Sequence, residues 1–71
     1  MRPIPVGDNI RRVRTMKKLT QTKLAQLTGM PQPSIAEIEA RNQQIRVDTL
    51  VRLAKGLGCS PMELLADDTA N

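Results

Sequence analysis

Seventy-one residues make one small domain with no room for a second core. A chain of this size buries only about 60% of the surface its unfolded form exposes. It has no Phe, Tyr, Trp or His, one cysteine (Cys59), and eleven basic against seven acidic residues for a net charge of +4. That excludes a His/Cys metal site, an imidazole base, an internal disulfide and base stacking on aromatic rings, and no apolar run approaches the roughly 18 residues of a membrane span.

Residues 1–7 hold two prolines and a glycine and read as an extended N-terminal arm. From Asp8, the three-residue steps of Ile10, Val13 and Met16 predict a first helix ending near Lys17 or Lys18, where cations suit the negative end of the helix dipole. Thr20 is a suitable N-cap for a short second helix. Leu24 and Ala25 form its inner face, Leu27 or Thr28 closes it, and Gly29 stops it. A third helix runs from about Gln32 to Ala40, with Pro31 and Pro33 tolerated in a first turn whose N–H groups lack intrahelical partners. Ile35 and Ile38 mark its buried side. After a polar loop from Arg41 to Ile45, a fourth helix of about Val47 to Gly56 carries Leu50, Leu53, Ala54 and Leu57 on one face, with Gly58 as its stop. Ser60-Pro61-Met62-Glu63 is a capping box with proline at the first helical position, starting a fifth helix through Leu65. Residues 67–71 form a polar tail. The expectation is all-α, five helices and no strand, with the domain proper at residues 8–66.

Charge is unevenly spread. Residues 1–23 carry a net +6, residues 24–46 balance at zero, and residues 47–71 come to −2. This polarity suits a polyanion at one end of the fold; basic helices solvated on their outer faces would give the same count.

Thr20 to Glu39 reads as two short helices joined by a turn of about four residues containing Gly29, with small Ala25 on one helix facing branched Ile35 on the other. This is the sequence form of a helix-turn-helix. Residues 8–65 resemble the lambda-repressor-like (Cro/repressor, XRE-type) DNA-binding domains. The resemblance rests on Ile10-Arg11, Val13-Arg14, Leu19-Thr20-Gln21, Leu24-Ala25, Gly29, Ile35, Ile38-Glu39, Leu50 through Leu53-Ala54-Lys55 to Leu57-Gly58, Ser60 and Glu63-Leu64-Leu65. It implies a compact five-helix bundle whose third helix enters DNA, most often as a two-fold dimer. It also implies that Gln21 contacts a phosphate at the start of helix two, and that Arg14 pairs with Glu39 to fix the recognition helix. Arg41, Asn42, Gln43 and Arg46 are then backbone contacts in the following loop. Lys17, Lys18 and Lys23 add charge near the other edge, and Arg2 reaches from the arm.

With Ile35 and Ile38 pointing in, Pro33, Ala36, Glu37 and Ala40 point out, and Gln32 leads the helix. Gln32 suits adenine, Glu37 suits cytosine N4, Ala36 a thymine methyl, and Ser34 a base or phosphate; Pro33 offers apolar contact alone. The chain departs from the family's pattern where Pro31 replaces a Ser/Thr cap, Lys23 replaces an acidic residue, and Ala40-Arg41 replaces Asn-Gly. Cys59 reads as a small buried thiol rather than a redox sensor. Met62, Leu64 and Leu65 exceed what so small a core covers, and the resemblance makes them a dimer interface; the alternative is that they close the monomer.

The expected function is a cytoplasmic, sequence-specific regulator of transcription, a repressor by resemblance. It binds double-stranded DNA as a homodimer, with no cofactor, no metal, no membrane and no enzymatic activity. The rival is an antitoxin or other protein-interaction module on the same fold, with a toxin as partner.

Overall fold

The computed structural model describes residues 4–42 and 44–66. The arm's first three residues with Arg2, the loop residue Gln43 and the tail 67–71 lie outside the described residues. Five helices follow in order: α1 (Val6–Met16), α2 (Gln21–Thr28), α3 (Gln32–Arg41), α4 (Val47–Leu57) and α5 (Pro61–Leu64). No strand occurs among the described residues. α1 packs on α3, α2 on α3 and α4, and α5 on α4 and α1.

The core is aliphatic. Ile10, Leu24, Ile35, Leu53 and Leu64 are fully buried, with Val6, Val13, Ala25, Ile38, Leu50, Ala54 and Leu57 around them. Leu19, Met30, Ile45 and Cys59 pack partly against this cluster. Burial pushes the Cys59 thiol up, and the nearby Glu63 charge adds to this against the pull of Lys17. Such a thiol is a poor nucleophile and acts as packing.

Local capping sets most helix ends. Thr20 Oγ1 accepts from Lys23 N at 2.9 Å, so half a capping box survives where Lys23 stands in the acidic position. Gly29 ends α2 in the left-handed conformation at φ 74°, and its N–H donates to Ala25 O at 2.8 Å. Gly58 does the same for α4. Ser60 and Glu63 form both halves of the expected box.

Four sequence expectations differ from the structure. First, α1 begins at Val6 rather than Asp8, so the arm is shorter than read. Asn42, the left-handed C-cap of α3, reaches across to accept from Asp8 N through Oδ1 at 2.7 Å. This caps the first turn of α1 from outside, and Val6 is buried there. Second, Met16 is 73% exposed: three-residue steps drift about 60° each around a helix, and Arg14 takes the inward direction instead. Third, α3 and α4 each run one residue further than read, to Arg41 and Leu57; of the two residues offered to close α2, it is Thr28 that is buried, donating through Oγ1 to Leu24 O at 2.9 Å.

The fourth difference concerns the dimer candidates. Leu64 belongs to the monomer core with 0% exposure, which removes it from any interface. Asn9, buried on α1, holds it there by donating through Nδ2 to Leu64 O at 2.9 Å and to Ala66 O at 2.8 Å. These bonds satisfy carbonyls at the end of α5 that the helix itself cannot. α5 also stops at Leu64, one residue short of Leu65, which is its C-cap.

Candidate nucleic-acid interface

Ala25 of α2 and Ile35 of α3 are both buried in the common core, and the burial of Ile35 and Ile38 decides which face of α3 is outside. Ile35, Ile38 and Glu39 are buried, while Pro33, Ser34, Glu37 and Ala40 are exposed. Gln32 and Ala36 are half-buried. Ala36 is therefore a flank of the outer face rather than its crest. An open groove of about 410 Å³ runs beside this face, with Pro33, Ser34 and Glu37 on one wall and Gln44, Arg46 and Thr49 on the other. It joins the outer side of α3 to the loop before α4 in one surface.

Behind that face lies a polar network. Arg14 Nε donates to Glu39 Oε2 at 2.7 Å and Nη2 to Oε1 at 3.0 Å. This is a two-pronged grip on a carboxylate that is 1% exposed. Arg14 Nη1 also donates to Leu19 O at 2.7 Å, locking the α1–α2 connection. Arg11 adds a second cation, with Nε 3.6 Å from Glu39 Oε1 and Nη2 donating to the Glu39 carbonyl at 3.0 Å. Burial is the largest single influence on Glu39 and pushes its carboxyl up. The hydrogen bonds from Arg14 and Gln21 and the charges of Arg14 and Arg11 outweigh it, and the group is held below the ordinary carboxyl value.

Gln21 and Gln32 join this network. Gln21 Nε2 donates to Glu39 Oε1 at 3.1 Å, and Gln32 Nε2 donates to Gln21 Oε1 at 2.7 Å. The two glutamines expected to meet phosphate and base separately thus touch each other, and both hang on the end of α3. Sequence reasoning also missed Arg11 on Glu39 and Asn9 under α5. An arginine at position 11, three before Arg14, was the only local signal for the first; nothing local marks the second.

The cations divide. Lys23 and Arg41 are exposed. Arg46 is exposed at the N-terminus of α4, with Nε 3.2 Å from Asp48 Oδ1. Asn42 is half-buried, its Oδ1 already committed to α1. Lys17 Nζ donates to Gly58 O at 3.2 Å, across the molecule at the end of α4. Among the described residues no group of His, Cys, Asp and Glu side chains could hold a metal ion, and no helix is long and apolar enough to cross a membrane.

The HTH_3 family model, described as helix-turn-helix, matches residues 10–64. Control protein C.SmaI of Serratia marcescens is 32% identical over 60 residues, which is 84% of this chain and 71% of that protein. The uncharacterized HTH-type transcriptional regulator y4dJ of Sinorhizobium fredii is 37% identical over 60 residues, 84% of this chain and 78% of that one. Among solved structures, the restriction-modification controller protein C.AhdI from Aeromonas hydrophila superposes with a TM-score of 0.79 at 30% identity, covering 86% of this chain and 92% of its own.

Proposed function

The chain belongs to the HTH_3 helix-turn-helix family, as a DNA-binding regulator of transcription and not an enzyme, and we propose that it reads a specific duplex sequence by laying α3 in the major groove. The observation that carries this is the outer face of α3. Gln32 stands at its N-terminal end, Pro33, Ser34 and Glu37 are exposed beside it, and the groove leads from them to Arg46. The N-terminal part of a recognition helix is the part that meets base edges. Gln32 is assigned to adenine, Glu37 to cytosine N4, and Ser34, Pro33 and Ala36 to nearby edges or methyl groups. Gln21, Lys23, Arg41, Asn42, Gln43 and Arg46 are assigned to the phosphate backbone, where they set register without reading sequence.

A two-fold dimer fits the same reading. Met62 is 72% and Leu65 36% exposed beside the buried Leu64, an apolar edge that a second copy would cover. Two recognition helices would then meet half-sites about one helical turn, roughly 34 Å, apart. Repression of a promoter is the regulatory sense proposed, in the cytoplasm where its DNA lies. The likeness to C.AhdI, named as a restriction-modification controller protein, supports restriction-modification genes as the targets proposed for this chain. None of the three relatives carries an antitoxin's name.

Selection from a random duplex library at stated salt tests the reading directly. A pseudo-palindromic consensus is expected, with the protein dimeric on it by sedimentation. Gln32→Ala should lower affinity for that consensus by about 1–3 kcal/mol and relax choice at one base pair per half-site. No enrichment over scrambled duplexes, or equal losses on selected and random DNA, defeats it.

A further inference from the structure

Consecutive residues of α1 are tied to two different parts of the molecule. The Asp8 N–H donates to Asn42 Oδ1 at 2.7 Å, and Asn42 is the C-cap of α3. Gly7 lies so close to the last turns of α3 that a Cβ there would overlap the Ile38 carbonyl oxygen. Asn9, the next residue, is fully buried and donates through Nδ2 to Leu64 O at 2.9 Å and to Ala66 O at 2.8 Å. Its Oδ1 accepts from Arg12 Nη2 at 3.0 Å. The amide has one possible orientation, because reversing it would set its oxygen against two carbonyl oxygens. The two clamped carbonyls bracket Leu65, which with Met62 forms the exposed apolar edge. Among the described residues α3 and α5 share no broad packing of their own, whereas α1 packs on both.

We propose that Asn9 is a positioning residue for the paired recognition helices: it fixes the Leu65 edge to the turn of α1 that carries the end of α3, and so sets the half-site spacing the protein accepts. Neighbouring helix residues are about 1.5 Å apart along the axis and about 100° apart around it, so both ties lie on one turn with no flexible link between them. In a two-fold dimer joined through Met62 and Leu65, the separation of the recognition helices is this short path taken once in each copy. The other route from α5 to α3, through α4 and α2, crosses three packed interfaces instead of two. One added base pair moves a half-site by about 3.4 Å and turns it by about 35°, which a stiff path does not follow. Asn9 touches neither DNA nor the second copy in this scheme. The proposal rests on the reading that α3 enters the major groove and that a second copy covers the Met62 and Leu65 edge.

The test uses the 71-residue chain and the consensus duplex, with its preferred spacer, selected by the wild type. Further duplexes lengthen or shorten that spacer by one and two base pairs. All are titrated against wild type, Asn9→Ala and Gly7→Ala at one salt concentration. The wild type should lose about tenfold or more for one base pair of change, because the two half-sites then cannot be engaged together without strain. In Asn9→Ala that ratio should fall to about threefold or less, while the preferred bases within each half-site stay the same. Partial unfolding lowers affinity for all these two-site duplexes by one factor, so it leaves the ratio untouched and does not imitate the result. Gly7→Ala disturbs the other tie and should flatten the same profile; it carries the test where Asn9→Ala does not fold. A folded Asn9→Ala, or Gly7→Ala in its place, that keeps the full spacer penalty overturns the positioning role and leaves base reading and the dimer standing. A wild type that selects half-sites at no fixed spacing overturns the dimer reading and this role with it. A wild type that enriches no sequence overturns the DNA-reading proposal as well.

Discussion

Glu39 is a carboxylate almost without water, tolerated because Arg14 holds both its oxygens and Gln21 and Arg11 approach one of them. Removing one member of a buried pair leaves a charge without compensation and costs about 3–5 kcal/mol, so Arg14→Met should be among the most damaging single changes in the chain. The pH dependence has a definite sign. The folded-state pKa of Glu39 lies below its ordinary value of 4.5, so its ionised form stabilises the fold. That contribution is fully present above about pH 4.5 and is lost as pH falls through the depressed folded value. Urea midpoints measured between pH 7 and pH 3 should decline below about 4.5 in the wild type and decline less steeply in Glu39→Gln, which starts from a lower stability. Parallel slopes in the two proteins would show that Glu39 is not the acid-sensitive group.

At the scale of helices, what can be read from the sequence is what is decided locally. Thr20, Gly29, Gly58 and the Ser60/Glu63 box mark ends that depend on residues within one turn, and all four stand where the spacing puts them. The start of α1 was not legible, because its cap comes from Asn42, 34 positions away. Nor was the fate of Met62, Leu64 and Leu65, which are alike in chemistry and are told apart only by how α5 packs on α4 and α1, a placement that Asn9 helps to hold through the Leu64 and Ala66 carbonyls. The site divides the same way. Gln21 and Gln32 could be picked out singly from helix position, but their contact depends on the angle between α2 and α3. Two glycines separate local from distant constraint. Gly29, at φ +74° with nothing within 4 Å of a Cβ, should lose about 1–2 kcal/mol on change to Ala through backbone strain alone, and Gly29→Asn should lose less. A Cβ on Gly7 would overlap the Ile38 carbonyl oxygen and Asn42 Oδ1. Gly7→Ala should therefore cost about 1–3 kcal/mol by overpacking, and Gly7→Asn should be worse rather than better. Thermal melts of the four variants check the ordering; relief by Asn at position 7 would contradict the packing account.

For the whole molecule, the uneven charge along the chain acquires a geometry. Several N-terminal cations are committed to internal partners, Arg14 and Arg11 to Glu39 and Lys17 to the Gly58 carbonyl, so fewer side chains can turn to a phosphate than the count of eleven basic residues suggests. Arg46 is the informative case among those near α3. Its side chain is 85% exposed, and its partner Asp48 is 70% exposed. A pair in such contact with water contributes little to folding, so changing either residue should alter binding and leave the melting temperature nearly unmoved. If Arg46 neutralises a phosphate, it must exchange Asp48 for DNA, and counterion release sets the consequence. Arg46→Ala should make the slope of log affinity against log salt shallower by about one unit, equally on selected and random duplexes. Asp48→Asn removes both the competitor and a negative charge beside the backbone, so it should tighten binding to both duplexes at low salt, an advantage that fades as screening grows. Titrations of the three proteins between 50 and 200 mM salt, roughly the range over which such contacts are lost, decide the matter: an unchanged slope in Arg46→Ala takes this residue out of the phosphate contacts, and a weaker Asp48→Asn complex would mean that the pair itself holds the loop in its binding shape.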